Sequence, residues 1–482
     1  MKRPRFTRRT VLVLVVVLLL LAAGGAGLAW QRARARVAAV VAALPPRPEL
    51  SGWPAEFGNR LESCERRARA GENSVEALGE LSRLLHANGF LPEAAQCYVA
   101  LEQLDPGNAR WAHRHATIHA GYGQADAAIA LWEHVMKQVP DYLPARLRMA
   151  DLLLKTNQLE AARTAYEDVL TRFPDEPYAQ LGLARCDVET ERWDAARTRL
   201  EKLVAQTQYQ LGYDLIVTVY ERLGLEQNAA NVRGQMMASG AYRDYPDPWV
   251  DELYSDSYDL YQLALTAGMA ERSGDITTAV RRLERALSLD PQNHSLHFQL
   301  GLTYQKSNDI GRARQHLEKA TALDPTFADA WAHLSSLHAA AGDQASADRL
   351  LAQGLRHNPG SFGLRLMRGR RLKDAERYAE AAQEYQLAVA ARPNSPDGYI
   401  ELALTFLRIG EVSAGVENLK RALIAEPEHP TALTTLGLHA IGVGDETDAR
   451  HWIERARAQA RVRRDHLQTL ERNFQAKFGR LP

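Results

Sequence analysis

The chain has 482 residues, enough for several ordinary domains or one long repeat array, and its 59 basic and 59 acidic side chains cancel to a net charge of zero. Residues 1–40 hold eight Lys/Arg and no acid, so the rest carries 51 basic against 59 acidic side chains, net −8. A mildly acidic body argues against general nucleic-acid binding, and 7 % aromatics amid abundant Ala and Leu favour helices over sheets.

The N-terminus, MKRPRFTRRT, is a basic stretch of ten residues, followed at 11–30 by VLVLVVVLLLLAAGGAGLAW without a single charge. Twenty residues rising about 1.5 Å each cross a hydrocarbon core of roughly 30 Å. This predicts a transmembrane signal anchor over 11–30, with residues 1–10 as the cytoplasmic n-region. Cleavage after Ala29 is the alternative, and no Cys follows the apolar run to accept a lipid. Five positive charges before the span against Arg32, Arg34 and Arg36 after it place the N-terminus inside and residues 31–482 in the periplasm or other extracytoplasmic space. Trp30 would sit at the membrane interface. Residues 31–53 read as a linker or stalk: a short helical continuation, then PPRP at 45–48 as a stiff spacer. Over 54–70, Phe57, Leu61 and Cys64 share one helical face and predict a capping helix.

A fixed period begins next. Pro106, Pro140 and Pro174 are 34 residues apart, and so are Pro291, Pro325, Pro359, Pro393 and Pro427. Proline at such a point ends one helix and lets another start. In residues 294–327, Leu300, Gly301 and Tyr304 share a face of a first helix, and Ala313, Leu317 and Ala320 a face of a second, with Asn308 and Asp309 at the turn. Small Gly301 and Ala313 predict close approach of the two helices, and the larger residues fill the space around it.

The pattern closely resembles the tetratricopeptide repeat. The unit from Ala328 matches at Trp331, Leu334, Ser335, Ala347, Leu351 and Pro359; that from Pro396 at Tyr399, Leu402, Ala403, Phe406, Gly415, Leu419, Ala422 and Pro427; that from Val75 at Leu78, Leu81, Ser82, Leu85, Ala94, Tyr98 and Pro106. Units begin near 75, 109, 143, 177 and 210, and again near 260, 294, 328, 362, 396 and 430. The resemblance implies an all-α fold: a right-handed α-solenoid of about eleven helix-turn-helix units in two arrays, preceded by one transmembrane helix. The first array and its cap take 54–240 and the second takes 260–463. A helix over 464–482 with Leu467, Leu470, Phe474 and Phe478 on one face covers the end. The units at 177 and 210 lack the proline, and Asp187 stands where an apolar residue is usual, so irregular packing is expected there.

Between the arrays, 241–259 breaks the rhythm. DYPDPWVDELYSDSYDLY, residues 244–261, holds four Tyr, six carboxylates and no basic residue. Asp247–Pro248 is a helix start, and Val250, Leu253, Tyr254, Ser257, Tyr258 and Tyr261 form one stripe. Two readings stand: a joint between the arrays, or an acidic-aromatic docking surface using Trp249, Tyr254 and Tyr258, including a plug in the protein's own groove.

Catalytic signatures are missing: the sequence holds no P-loop, GxSxG, HExxH or glycine fingerprint, so no enzyme, cofactor or metal site is expected. His115 and His119, four apart with His113 nearby, read as packed residues rather than ligands. Cys64, Cys97 and Cys186 read as small buried apolar groups, with a Cys64–Cys97 disulfide left open for an oxidising compartment. The run Arg365, Arg368, Arg370, Arg371, Lys373 is the strongest local basic patch, either a solvated face or a receiver of acidic peptide.

The resemblance further implies a partner-binding groove on the first helix of each unit. Carried over residue by residue, it consists of Arg83 and His86, then Arg110 and His113, then Leu147, Asp151 and Lys155, then Tyr178 and Arg185. In the second array it consists of Phe298, Gln305 and Lys306, then Leu366, Arg370 and Lys373, then Ile400, Leu404 and Arg408. Such a groove suits a protein or peptide segment. The expected function is a membrane-anchored scaffold or adaptor in envelope assembly, secretion or cytochrome maturation. The alternative is an accessory of polysaccharide export or glycan binding, which the scarcity of groove aromatics disfavours.

Overall fold

The computed structural model describes residues 27–71, 73–207, 209–236, 245–459 and 464–482. Most of the expected membrane span, residues 11–26, lies outside them, as does Asp244. No helix among the described residues is long and apolar enough to cross a membrane.

Every regular element described is a helix. A first helix, α1, covers residues 27–43 and α2 covers Ala55–Ala70. Five antiparallel pairs follow: α3 (Ser74–Ala87) with α4 (Leu91–Leu104), α5 (Arg110–Gly121) with α6 (Ala125–Gln138), α7 (Leu143–Lys155) with α8 (Leu159–Arg172), α9 (Pro177–Glu189) with α10 (Trp193–Gln206), and α11 (Gln210–Arg222) with α12 (Glu226–Met236). A short α13 (Pro248–Tyr254) interrupts them. Six further pairs run from α14 (Leu260–Arg272) with α15 (Ile276–Leu289) through α16 (His294–Lys306) with α17 (Ile310–Leu323), α18 (Ala328–Ala340) with α19 (Gln344–His357), α20 (Phe362–Asp374) with α21 (Tyr378–Ala391) and α22 (Pro396–Arg408) with α23 (Val412–Ala425) to α24 (Pro430–Val443) with α25 (Glu446–Arg457), and α26 (Arg464–Phe478) closes the chain.

Local chemistry sets each pair. Asp275, Asp309 and Asp343 cap the second helices of consecutive units by accepting from Thr278, Arg312 and Ser346 backbone N–H. The tight turn before each second helix uses one left-handed residue. It is Gly89, Gly123, Asn157, Glu191, Gly224, Gly274, Asn308, Gly342, Glu376, Gly410 and Gly444 in the eleven pairs. Glycine and asparagine suit this conformation, whereas Glu191 at φ 56° and Glu376 at φ 61° hold it at a steric cost.

Between mates the helices touch where small residues stand. A Cβ on Gly301 would lie 2.9 Å from Leu317 Cγ and 3.2 Å from the Ala313 carbonyl oxygen, so this glycine sets the spacing of α16 and α17. At the end of the chain, Leu470 and Phe474 of α26 are buried against α24 and α25, and cover the last repeat.

The helices group into two compact units, one up to Pro291 and one from Gln292. The repeat formed by α14 and α15, counted with the second array on sequence, thus belongs to the first unit. The expected stalk is also docked rather than free-standing. Val40 of α1 is fully buried with Phe57 and Leu61, and Arg36 donates to the Leu104 carbonyl at 2.7 Å. In the unit starting near 177, Asp187 keeps its place in the core because Arg163 (2.8 Å) and Arg199 (3.3 Å) neutralise it. The three cysteines are buried free thiols with no disulfide among them, and burial pushes Cys64 up to about 11 and Cys97 up to about 12.

Candidate functional site

The first helices of the early repeats, α3, α5, α7 and α9, carry a file of polar and aromatic side chains. Residues 245–258 lie along it. They run against the order of the repeats, starting beside α7 and α9 and finishing beside α2 and α3.

At the entry, Tyr245 donates to Asp151 (3.2 Å), packs edge-on to Tyr178 and has the Arg148 guanidinium over its ring. Asp247 comes next and is 4 % exposed. It accepts from Arg148 Nε (2.5 Å), Tyr142 Oη (2.7 Å) and His113 Nε2 (3.0 Å), and also caps α13 at Val250 N–H. Burial alone would raise this carboxyl, but His113, Arg148 and Tyr142 outweigh it and hold Asp247 well below the ordinary carboxylate range. Burial, with Arg148 and Arg114 close by, holds His113 below its ordinary value. The two shifts agree if the imidazole is neutral with its proton on Nε2, donated to Asp247. His113 Nδ1 then keeps a buried lone pair, which no hydrogen-bond donor among the described residues reaches.

Trp249 stacks on Tyr142 with ring centroids 3.5 Å apart and 12° between planes. Its carbonyl accepts from Arg114 Nε at 2.8 Å, and its N–H donates to Tyr142 Oη at 3.2 Å. Glu252 accepts from Arg110 (3.0 Å) and from the fully buried Arg114 (2.5 Å). Further along, Asp256 is held by Arg60 (2.9 Å) and Arg83 (3.0 Å). Asn88 brackets the backbone there, donating to the Asp256 carbonyl (3.0 Å) and accepting from Tyr258 N–H (2.6 Å). Tyr258 finishes in the core beside Phe57, its hydroxyl donating to Glu56 at 2.9 Å. From the other side, α15 clasps the segment: Arg282 bonds Asp251 at 2.7 Å and lies 3.9 Å over the Tyr254 ring, and Arg285 lies 4.6 Å over Tyr258. The stretch read as a joint, a docking surface or a plug in the protein's own groove is therefore lodged in the groove of its own unit.

Of the residues expected to line the first groove, Arg83, Arg110, His113, Asp151 and Tyr178 touch this segment. His86 instead meets the Tyr98 hydroxyl at 3.1 Å, and Leu147 is buried in the core. Lys155 is exposed and Arg185 is half-buried. Sequence reasoning missed Arg60, Asn88, Arg114, Tyr142 and Arg148. A signal existed for two of them: Arg114 and Arg148 stand 34 residues apart, at the same register of consecutive repeats.

In the second unit the cations of the expected basic patch are all paired, but five of them share three carboxylates, so the patch stays net positive. Arg370 and Lys373 both bond Glu401 at 2.6 Å, Arg365 and Arg368 share Glu384, and Arg371 bonds Asp348. Of the apolar residues expected in that groove, Leu366 and Ile400 are buried in the core, Leu404 is half-buried, and Phe298 packs edge-on to Phe327 and His333. Gln305, Lys306 and Arg408 are exposed along its edge. His115 is buried with Nδ1 2.8 Å from Glu102, and His119 lies beside it. Among the described residues no three His, Cys, Asp or Glu side chains gather as a metal site.

Family models described as Tetratricopeptide repeat match residues 119–169, 159–210, 304–367 and 400–462, and one described as TPR repeat matches 272–308. Residues 245–258 lie outside these spans. No curated protein matches the chain. Among solved structures, yeast Tom70 is 14 % identical with a TM-score of 0.38, covering 85 % of this chain and 96 % of that one. PilW, a type IV pilus biogenesis factor, is 19 % identical with a TM-score of 0.36, covering 44 % and 97 %. A MamA protein is 22 % identical with a TM-score of 0.30, covering 35 % and 92 %. This chain carries tetratricopeptide repeats folded as an all-α solenoid.

Proposed function

We propose that the chain is a protein-interaction scaffold, tethered to a membrane through residues 11–30 with its repeats on the extracytoplasmic side, and that it holds a partner of an envelope-assembly, secretion or maturation machine. One observation carries the interaction reading: the first groove already grips a fourteen-residue peptide segment, 245–258, through charged, aromatic and backbone contacts together. A surface able to hold one such segment in cis has the chemistry to hold one in trans. The second unit offers a different surface, with half-buried Phe298 and Leu404 beside the paired cations Arg370 and Lys373, which suits an amphipathic helix. The tether rests on the uncharged run 11–30 and the charge bias around it.

A photocrosslinker at Phe298 in the full-length chain tests the interaction reading. The expected product is one stoichiometric protein adduct that Leu404→Asp abolishes. Recovery of glycan or lipid in its place would contradict it.

A further inference from the structure

We propose that residues 245–258 are a displaceable internal ligand, and that the first groove is a binding site for a partner's acidic segment bearing the same aromatic pattern. This deepens the scaffold reading and rests on it. The charges are complementary in the manner of a receptor and its peptide. Arg60, Arg83, Arg110, Arg114 and Arg148 come from helices of three repeats and their cap, and converge on Asp247, Glu252 and Asp256. Without a carboxylate opposite, Arg114 at 1 % exposure would be a buried charge with much of its compensation gone. The groove therefore requires an acidic occupant, and an apolar or basic peptide does not meet that need.

The occupant does not fill its site. A cavity of about 330 Å³ remains between the segment and α14, lined by Arg148, Asp251, Tyr254, Thr266, Met269 and Arg282. A bulkier acidic ligand has room there. The rim is open as well: Glu252 and Arg110 side chains are 41 % and 46 % exposed. An incoming carboxylate can take over Arg110 first and then compete inward toward Arg148, as one strand of contacts replaces another. Because the resident segment is tied to the same chain, it competes at high effective concentration and raises the threshold for outside ligands. A competitor succeeds when its own contacts exceed this internal competition, so the segment sets which partners are accepted.

The test uses the detergent-solubilised full-length chain and a fluorescent peptide of residues 245–259, followed by anisotropy. Trp249→Ala or Asp247→Ala in the chain should tighten peptide binding at least about tenfold, since affinity scales with the fraction of open groove. Adding Arg148→Ala to Asp247→Ala should erase the gain. Glu252→Ala, a rim change that empties no buried volume, must move binding in the same direction even if the buried variants lose helicity. Binding no tighter than wild type, or no tighter than a scrambled peptide, overturns the proposal. So does concentration-dependent dimerisation of the wild type that Trp249→Ala abolishes, which would identify the occupant as a second copy of this chain. Capture at Phe298 is unaffected by either failure, so the two readings can fall separately.

Discussion

Asp247 gives up its hydration on docking and regains it from Arg148, Tyr142, His113 and a backbone N–H. Removing one partner of such a buried set typically costs about 3–5 kcal/mol, so Arg148→Ala should loosen the segment more than any exposed Arg→Ala change. The pH dependence follows from the two lowered groups. Both the carboxyl of Asp247 and the imidazole of His113 bind protons less readily when folded. The unfolded chain therefore takes up more protons, and stability falls as pH falls. For His113 the loss starts below about pH 6.5 and reaches at most roughly 1.4 kcal/mol one unit lower. For Asp247 it starts below about pH 4. Thermal unfolding between pH 7.5 and 5.5 should show a declining midpoint, and His113→Gln, which keeps a donor for Asp247, should reduce that decline, the remainder coming from His86 and His333, which burial also holds below their ordinary value. A midpoint that rises on acidification would contradict the assignment. A second site is independent of the groove: Glu376 holds φ 61° at a turn where most other repeats place glycine. Glu376→Gly should stabilise by up to about 1 kcal/mol, the left-handed penalty less the entropy glycine adds to the unfolded chain, as read by urea denaturation.

At the level of helices, much was legible because the determinants are local. The 34-residue proline spacing, the apolar faces and the Asn308–Asp309 turn all lie within one unit, and the paired helices α16 and α17 follow them. Gly369 repeats the role of Gly301. A Cβ there would run into the fully buried Tyr385 ring, so Gly369→Ala should cost about 1–3 kcal/mol where an exposed helical Gly→Ala stabilises. A neutral outcome would mean that α20 and α21 are less tightly packed than their geometry implies. Docking of residues 245–258 in the chain's own groove was one of the readings the sequence left open; which side chains would hold it was not legible, for a physical reason. Its partners on the first helices sit about 100 to 200 residues away, as in Arg148–Asp247 and Arg60–Asp256, and no periodicity links the segment to them. The Asp247–Pro248 helix start was local and was found; what that helix rests on was not. The second unit teaches the converse lesson. A run of five cations reads as a bare patch in one dimension, while folding brings Glu384 and Glu401 from neighbouring helices to pair with four of them, two carboxylates shared among four cations.

On the scale of the whole molecule, the two units are built from the same repeat but differ in state. The first groove is occupied by charged and aromatic groups of its own chain, and in the second unit paired cations lie beside half-buried Phe298 and Leu404. Residues 11–30 are proposed to tether both. Alkaline extraction of membranes should leave the full chain in the pellet and release a chain lacking 11–30; release of the full chain would contradict the tether. The central claim is that residues 245–258 occupy the first groove. A photoreactive phenylalanine placed at Tyr245 of the purified full-length chain reads this directly, by mass-spectrometric mapping of the crosslink. The predicted product joins position 245 to the stretch Arg148–Tyr178 of the same molecule. Crosslinks confined to other parts of the chain would show the groove empty and contradict the claim.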